Sequence, residues 1–179
     1  MENMHKSKVK HKKKNSDISN SKITAYCGVF TALALILAYL ESLVPLSFAV
    51  PGIKLGLANL VTIVVLNKLG LKPAIIVSGG RIILAGILFG NITIIIYSFA
   101  GAFLSILSMW LVGHFKIFTV TGVSICGAVF HNLGQMVVAA IVMENINILY
   151  YMLVLGISGS IAGAFIGVLA GIIIKNIKF

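Results

Sequence analysis

Acidic side chains are nearly missing from this chain. Of its 179 residues only four are Asp or Glu, against 14 Lys and Arg. The single aspartate, Asp17, lies among lysines near the N-terminus, and Glu41 and Glu144 are the only acids beyond residue 22. A Mg²⁺–diphosphate site needs several oxygen ligands, so this subunit alone does not build one. Two cysteines, Cys27 and Cys126, exclude a secreted disulfide scaffold, and they read as small apolar fillers. No cluster of His, Cys and carboxylates has metal-site spacing. No glycine-rich phosphate loop of the Walker type occurs, so the chain does not itself hydrolyse ATP. No metal or other cofactor is expected, and catalysis by this chain alone is not expected.

Charge of any kind is scarce. Charged residues make up 10% of the chain and hydrophobic ones 59%, with mean hydropathy +1.09. A soluble domain carries about 25% charged residues and could not wet so apolar an exterior. The net charge of +10 is also unevenly placed. Residues 1–22 hold seven lysines against Glu2 and Asp17, which is half the total. This layout excludes a soluble nucleic-acid domain, and no nucleic-acid partner is expected. The chain reads as an all-α integral membrane protein. Residues 1–22 form a basic, disordered cytoplasmic tail that fixes orientation or holds anionic lipid, and residues 23–179 form a transmembrane domain. His5 and His11 in the tail read as solvated.

A span takes about 20 apolar residues. Six candidates follow in order, over roughly residues 24–44, 55–69, 72–90, 91–113, 117–143 and 146–174. The second is short. With the tail in the cytoplasm, every loop lysine except Lys54 falls on the inner side, as the positive-inside rule requires. Both termini are therefore expected in the cytoplasm, in a multi-pass protein of the cell membrane.

Helices in lipid associate through close backbone approach. Gly159, Gly163, Gly167 and Gly171 recur at four-residue intervals in the last span, a flat ribbon for a neighbouring helix of the same chain. In the first span Ala34 and Ala38 repeat the spacing, after Gly28 and Ala32. They can pack internally or dock another membrane protein.

Three polar features interrupt the apolar spans. Arg81 lies near the middle of the third, where a charge costs at least about 2.5–3.5 kcal/mol unless it faces the bundle or a wet cavity. No acid lies at its depth, so a bound anion is the reading preferred over a structural pair. In the fifth span His131, Asn132 and Gln135 fall within a turn and a half, and Ser124, Ala128, His131 and Gln135 share one face. The segment from Pro45 to Asn59, with Pro51, Gly52 and Gly56, is too broken for a continuous helix yet largely apolar. Irregular backbone at that depth lines a cavity or is buried. It reads as a loop over the outer mouth, with Lys54 and Asn59 towards the contents and Glu41 at its base.

The runs Leu-Ala-Tyr-Leu-Glu41-Ser-Leu-Val-Pro45 and Val-Pro51-Gly-Ile-Lys54-Leu-Gly-Leu-Ala-Asn59 carry a resemblance. So do Gly80-Arg81-Ile-Ile-Leu-Ala, Tyr97-Ser-Phe-Ala-Gly101 and Gly127-Ala-Val-Phe-His131-Asn132-Leu-Gly134-Gln135. Over roughly residues 24–174 the chain resembles the Gx transporter family, often labelled heptaprenyl diphosphate synthase component I. That family's core is similar to the S components of energy-coupling factor transporters. The resemblance implies a six-helix subunit that binds a small molecule under the loop between its first two helices. It also implies a T component, contacted through Ala34 and Ala38, and paired ATPase subunits as partners. Arg81 would then bind an anionic or polar-headed ligand, with His131, Asn132 and Gln135 orienting it and Lys54, Asn59 and Glu41 at the lid. The label implies an alternative, a non-catalytic accessory subunit in isoprenoid and menaquinone synthesis. A membrane subunit of a redox assembly is a further alternative, though no haem- or cluster-ligand spacing supports it.

Overall fold

The computed structural model describes residues 2–43, 56–115 and 117–177. Lys54 and most of the expected lid, residues 44–55, lie outside the described residues. Six α-helices follow one another, with no strand among the described residues: α1 (Glu2–Leu43), α2 (Leu57–Leu69), α3 (Leu71–Phe89), α4 (Ile92–His114), α5 (Val120–Val142) and α6 (Met152–Asn176). A short 3₁₀ helix, Ile146–Tyr151, leads into α6. Five helical segments are long and apolar enough to cross a membrane, and α2 is shorter. The chain is thus a multi-pass helical membrane protein by length and composition. Its helix α1 begins at Glu2, well before residue 23, where the expected membrane domain starts. Lysine is a good helix former, and the apolar part of α1 supplies a turn from which helix propagates.

Short turns set the alternation of direction. Gly70 alone separates α2 from α3 and holds φ 92°, a conformation only glycine adopts cheaply. Gly56 caps the start of α2 at φ 75°, also left-handed. Asn91 caps α4, its side chain accepting a hydrogen bond from the Ile94 N–H at 2.8 Å. Thr119 caps α5 in the same way through Gly122 N–H at 3.3 Å.

Helix α2 sits at the centre. Its residues Val61–Val65 are all buried, which matches a helix that is apolar all round. Val61 and Val65 pack with Cys27 and Ala34 of α1 and Ala74 and Val77 of α3. Ile63 and Val64 pack instead with Ile106 and Met109 of α4, Val123 of α5 and Ala170 of α6. Its two ends are tied to different helices. The Gly56 N–H donates to Glu41 Oε1 at the end of α1, at 2.6 Å. Lys68 Nζ donates to the Ile177 carbonyl at the end of α6, at 2.8 Å.

Glycine governs the other contacts. A Cβ on Gly134 of α5 would lie 2.5 Å from the Ala100 carbonyl oxygen of α4. A Cβ on Gly163 of α6 would lie 2.9 Å from Ile125 Cα, and one on Gly167 would lie 2.5 Å from Thr121 Cα. The glycine ribbon of α6 therefore packs against α5 within the chain, except Gly171, which faces open space.

Candidate ligand-binding site

Small residues leave a cavity of about 360 Å³ between the helices. Nearly half of its lining residues are glycine or alanine, so the room comes from side chains that do not reach across. Its polar groups come from every helix but one: Glu41 and Ser42 from α1, Asn59 from α2, Arg81 from α3, Ser98 and Ser105 from α4, and Ser124, His131 and Asn132 from α5. Helix α6 supplies the floor through Gly159, Ala162, Gly163 and Ile166.

Arg81 stands in the eleventh of the 19 positions of α3, about 15 Å along the axis from its start. Gly80 beside it brings α1 close, since a Cβ there would meet Thr31 Cγ2 at 3.2 Å. The Arg81 Nε is enclosed and has no hydrogen-bond partner among the described residues. Glu41 is the acidic group whose charge acts on Arg81, but its Oε1 is held by the Gly56 N–H rather than by Nε. The two opposite charges thus share a cavity without saturating each other.

On α5 the expected face is assembled as its spacing predicts: Ser124, Ala128 and His131 all line the cavity. Asn132 also lines it, with one end already committed. Its Nδ2 donates to the Leu155 carbonyl of α6 at 2.8 Å, and it packs against Gly159, where a Cβ would come within 2.6 Å of it. Gln135 does not line the cavity. Its Nε2 lies 3.2 Å from His131 Nε2, and both residues rest on Gly101 of α4. It acts on the site by holding the imidazole.

Ala34 and Ala38 do not form an outward face. Ala34 is 0% exposed, packed between α2 and α3, and Ala38 lines the cavity. The physical reason is that small residues at four-residue spacing mark close approach, and here the approaching helices belong to the same chain.

Sequence reading missed Ser98 and Ser105. The signal was a face of α4, since Ile94, Ser98, Ser105 and Met109 lie at helical spacing and all line the cavity. Ser105 is 2% exposed and its Oγ has no partner among the described residues. Other helical hydroxyls bond back to a carbonyl three or four residues earlier, as Thr62 does to Ala58 and Ser160 to Gly156.

The family model described as heptaprenyl diphosphate synthase component I matches residues 30–173. The chain belongs to that family. All the residues that line the cavity, from Ala38 to Ile166, fall within the matched span. No curated protein and no solved structure matches the chain. In this member of the heptaprenyl diphosphate synthase component I family, no group of three His, Cys, Asp or Glu that could hold a metal exists among the described residues.

Proposed function

We propose that this protein is the substrate-capturing subunit of a membrane uptake system, and that the cavity between its six helices holds a small, anionic or polar-headed molecule. The observation that carries this reading is the Arg81 Nε enclosed at the cavity wall without a partner among the described residues. A guanidinium at mid-membrane depth is retained where an anion or a wet cavity offsets its cost. Arg81 binds the anionic group. His131, held by Gln135, and the carbonyl end of Asn132 orient the remainder, while Asn59 and Glu41 stand at the mouth. All six helices cross the membrane with both termini in the cytoplasm, and the mouth opens outward. A T component and paired ATPase subunits would drive release, docking on a surface other than Ala34 and Ala38.

The family description favours a second reading, an accessory membrane subunit that presents a prenyl diphosphate to a partner synthase. Native mass spectrometry of the purified protein separates the two. Capture for uptake predicts a retained hydrophilic molecule that is absent from the Arg81→Ala variant. A lipid-tailed diphosphate on the wild type, together with a co-purifying soluble synthase, overturns uptake in favour of the second reading. If the folded wild type retains nothing under any condition, the pocket has no ligand and both readings fail.

A further inference from the structure

The charges in the cavity carry a statement about its ligand that goes beyond capture of an anion, though it rests on the capture reading. We infer that the ligand is a zwitterion, a small molecule whose head carries one carboxylate-like and one ammonium-like group, bound between Arg81 and Glu41.

Among the described lining residues the formal charges are one positive and one negative, Arg81 and Glu41. Each keeps hydrogen-bonding capacity that the described residues leave unused. Arg81 keeps an enclosed Nε–H without a partner among the described residues. Glu41 spends Oε1 on the Gly56 N–H, and a carboxylate has a second oxygen and about four acceptor sites in all. Arg81 Nε is enclosed, where solvent screening is weak, so a ligand charge beside it must be matched locally. A diphosphate, with its several negative charges, would face one guanidinium and a repelling carboxylate, with no donor set for a metal among the described residues. A simple carboxylate would satisfy Arg81 and be repelled by Glu41. A bare amine would do the reverse. A molecule with both groups meets an opposite charge at each end and leaves the described lining neutral. Its body must be slim, since about 360 Å³ lies near the small end of the roughly 300–1,000 Å³ usual for ligand pockets.

The test uses the purified full-length protein in lipid nanodiscs and isothermal titration. The probes are the standard L-amino acids, each beside its decarboxylated amine and its deaminated acid, together with inorganic diphosphate and farnesyl diphosphate. The expected result is at least one amino acid that binds about tenfold or more tightly than both its single-charge analogues, a gap of about 1.4 kcal/mol. That margin disappears in Arg81→Gln and in Glu41→Gln. Glu41→Gln is chosen because glutamine keeps an oxygen for the Gly56 N–H while removing the charge. Should Arg81→Gln fail to fold, Arg81→Lys replaces it and is expected to keep the preference for zwitterions at reduced affinity. Acids that bind through Arg81, and bind as well or better in Glu41→Gln, overturn the zwitterion while leaving capture of an anion intact. Tight binding of farnesyl diphosphate overturns both the zwitterion and uptake. No binding by any amino acid overturns the zwitterion, and the retained-ligand experiment above then decides capture separately.

Discussion

Gly134 and Gly101 show what one missing methyl group decides. A Cβ on Gly134 would press on the Ala100 carbonyl of the facing helix, and one on Gly101 would lie 2.9 Å from both the carbonyl oxygen and Cε1 of His131. Neither backbone can step aside without separating α4 from α5. Gly134→Ala is therefore expected to lower stability by about 1–3 kcal/mol, the usual range for overpacking, and to disturb His131 through the same contact. Gly171→Ala, at a glycine facing open space, should be neutral or slightly stabilising, because alanine is the better helix former. Thermal unfolding in detergent, with both variants side by side, checks the contrast. Ser105 gives the opposite kind of prediction. Its hydroxyl is enclosed without a protein partner among the described residues, so Ser105→Ala should leave the melting temperature unchanged or raise it. If the cavity's ligand uses that hydroxyl, the same variant binds it more weakly, by about 0.5–1.5 kcal/mol. A clear loss of stability in Ser105→Ala would mean that the hydroxyl has a structural partner. Arg81 and His131 were legible in the sequence because polar groups are expensive inside apolar spans. Ser105 was not, because a helical serine normally hides its hydroxyl on its own backbone and so signals nothing.

Among the elements, α2 best shows where sequence reasoning stops. Its apolar composition and its ends were readable, and residues 55–69 became Leu57–Leu69. Its central position was not readable, because a helix with apolar residues on every face suits lipid and protein equally well. The glycine ribbon of α6 was correctly assigned to packing within the chain, since Gly159, Gly163 and Gly167 all meet α5. The same small-residue logic did not distinguish neighbours at Ala34 and Ala38, whose partners are α2, α3 and the cavity. Spacing reports how closely something approaches, and burial decides what it is. The start of α2 depends on one side chain from elsewhere, the Glu41 carboxylate on the Gly56 N–H. Glu41→Ala removes that acceptor and should speed hydrogen exchange at the first amides of α2, while Glu41→Gln keeps exchange near the wild-type rate. Equal exchange in all three proteins would show that the tie does not hold the helix.

For the whole molecule, the length of α2 and its connections point in opposite directions on whether it crosses the membrane. Thirteen residues reach about 20 Å at 1.5 Å each, short of a hydrocarbon core of about 30 Å. Yet one end is tied to the close of α1 and the other to the close of α6, with protein against the helix on all sides, so its shortness need not be met by lipid. Whether α2 crosses or returns inverts the side of everything after it. With the lysine-rich N-terminus in the cytoplasm, six crossings put Asn91 and Asn145 outside and Phe118 and Asn176 inside; five crossings reverse all four. These four residues are exposed, which suits them to cysteine labelling once Cys27 and Cys126 are replaced by alanine. In intact cells a membrane-impermeant maleimide should modify Asn91→Cys and Asn145→Cys, and reach Phe118→Cys and Asn176→Cys only after permeabilisation. The reversed pattern would make α2 a re-entrant helix and bring Lys68, Lys72 and Lys175 to the outer side, against the positive-inside rule. Glu41 closes α1, ahead of α2, so it stays at the outer end of α1 under either pattern. The labelling pattern therefore tests whether α2 crosses, and with it the side of every segment from α3 onward, while the outer position of the Glu41 mouth follows from the single crossing of α1.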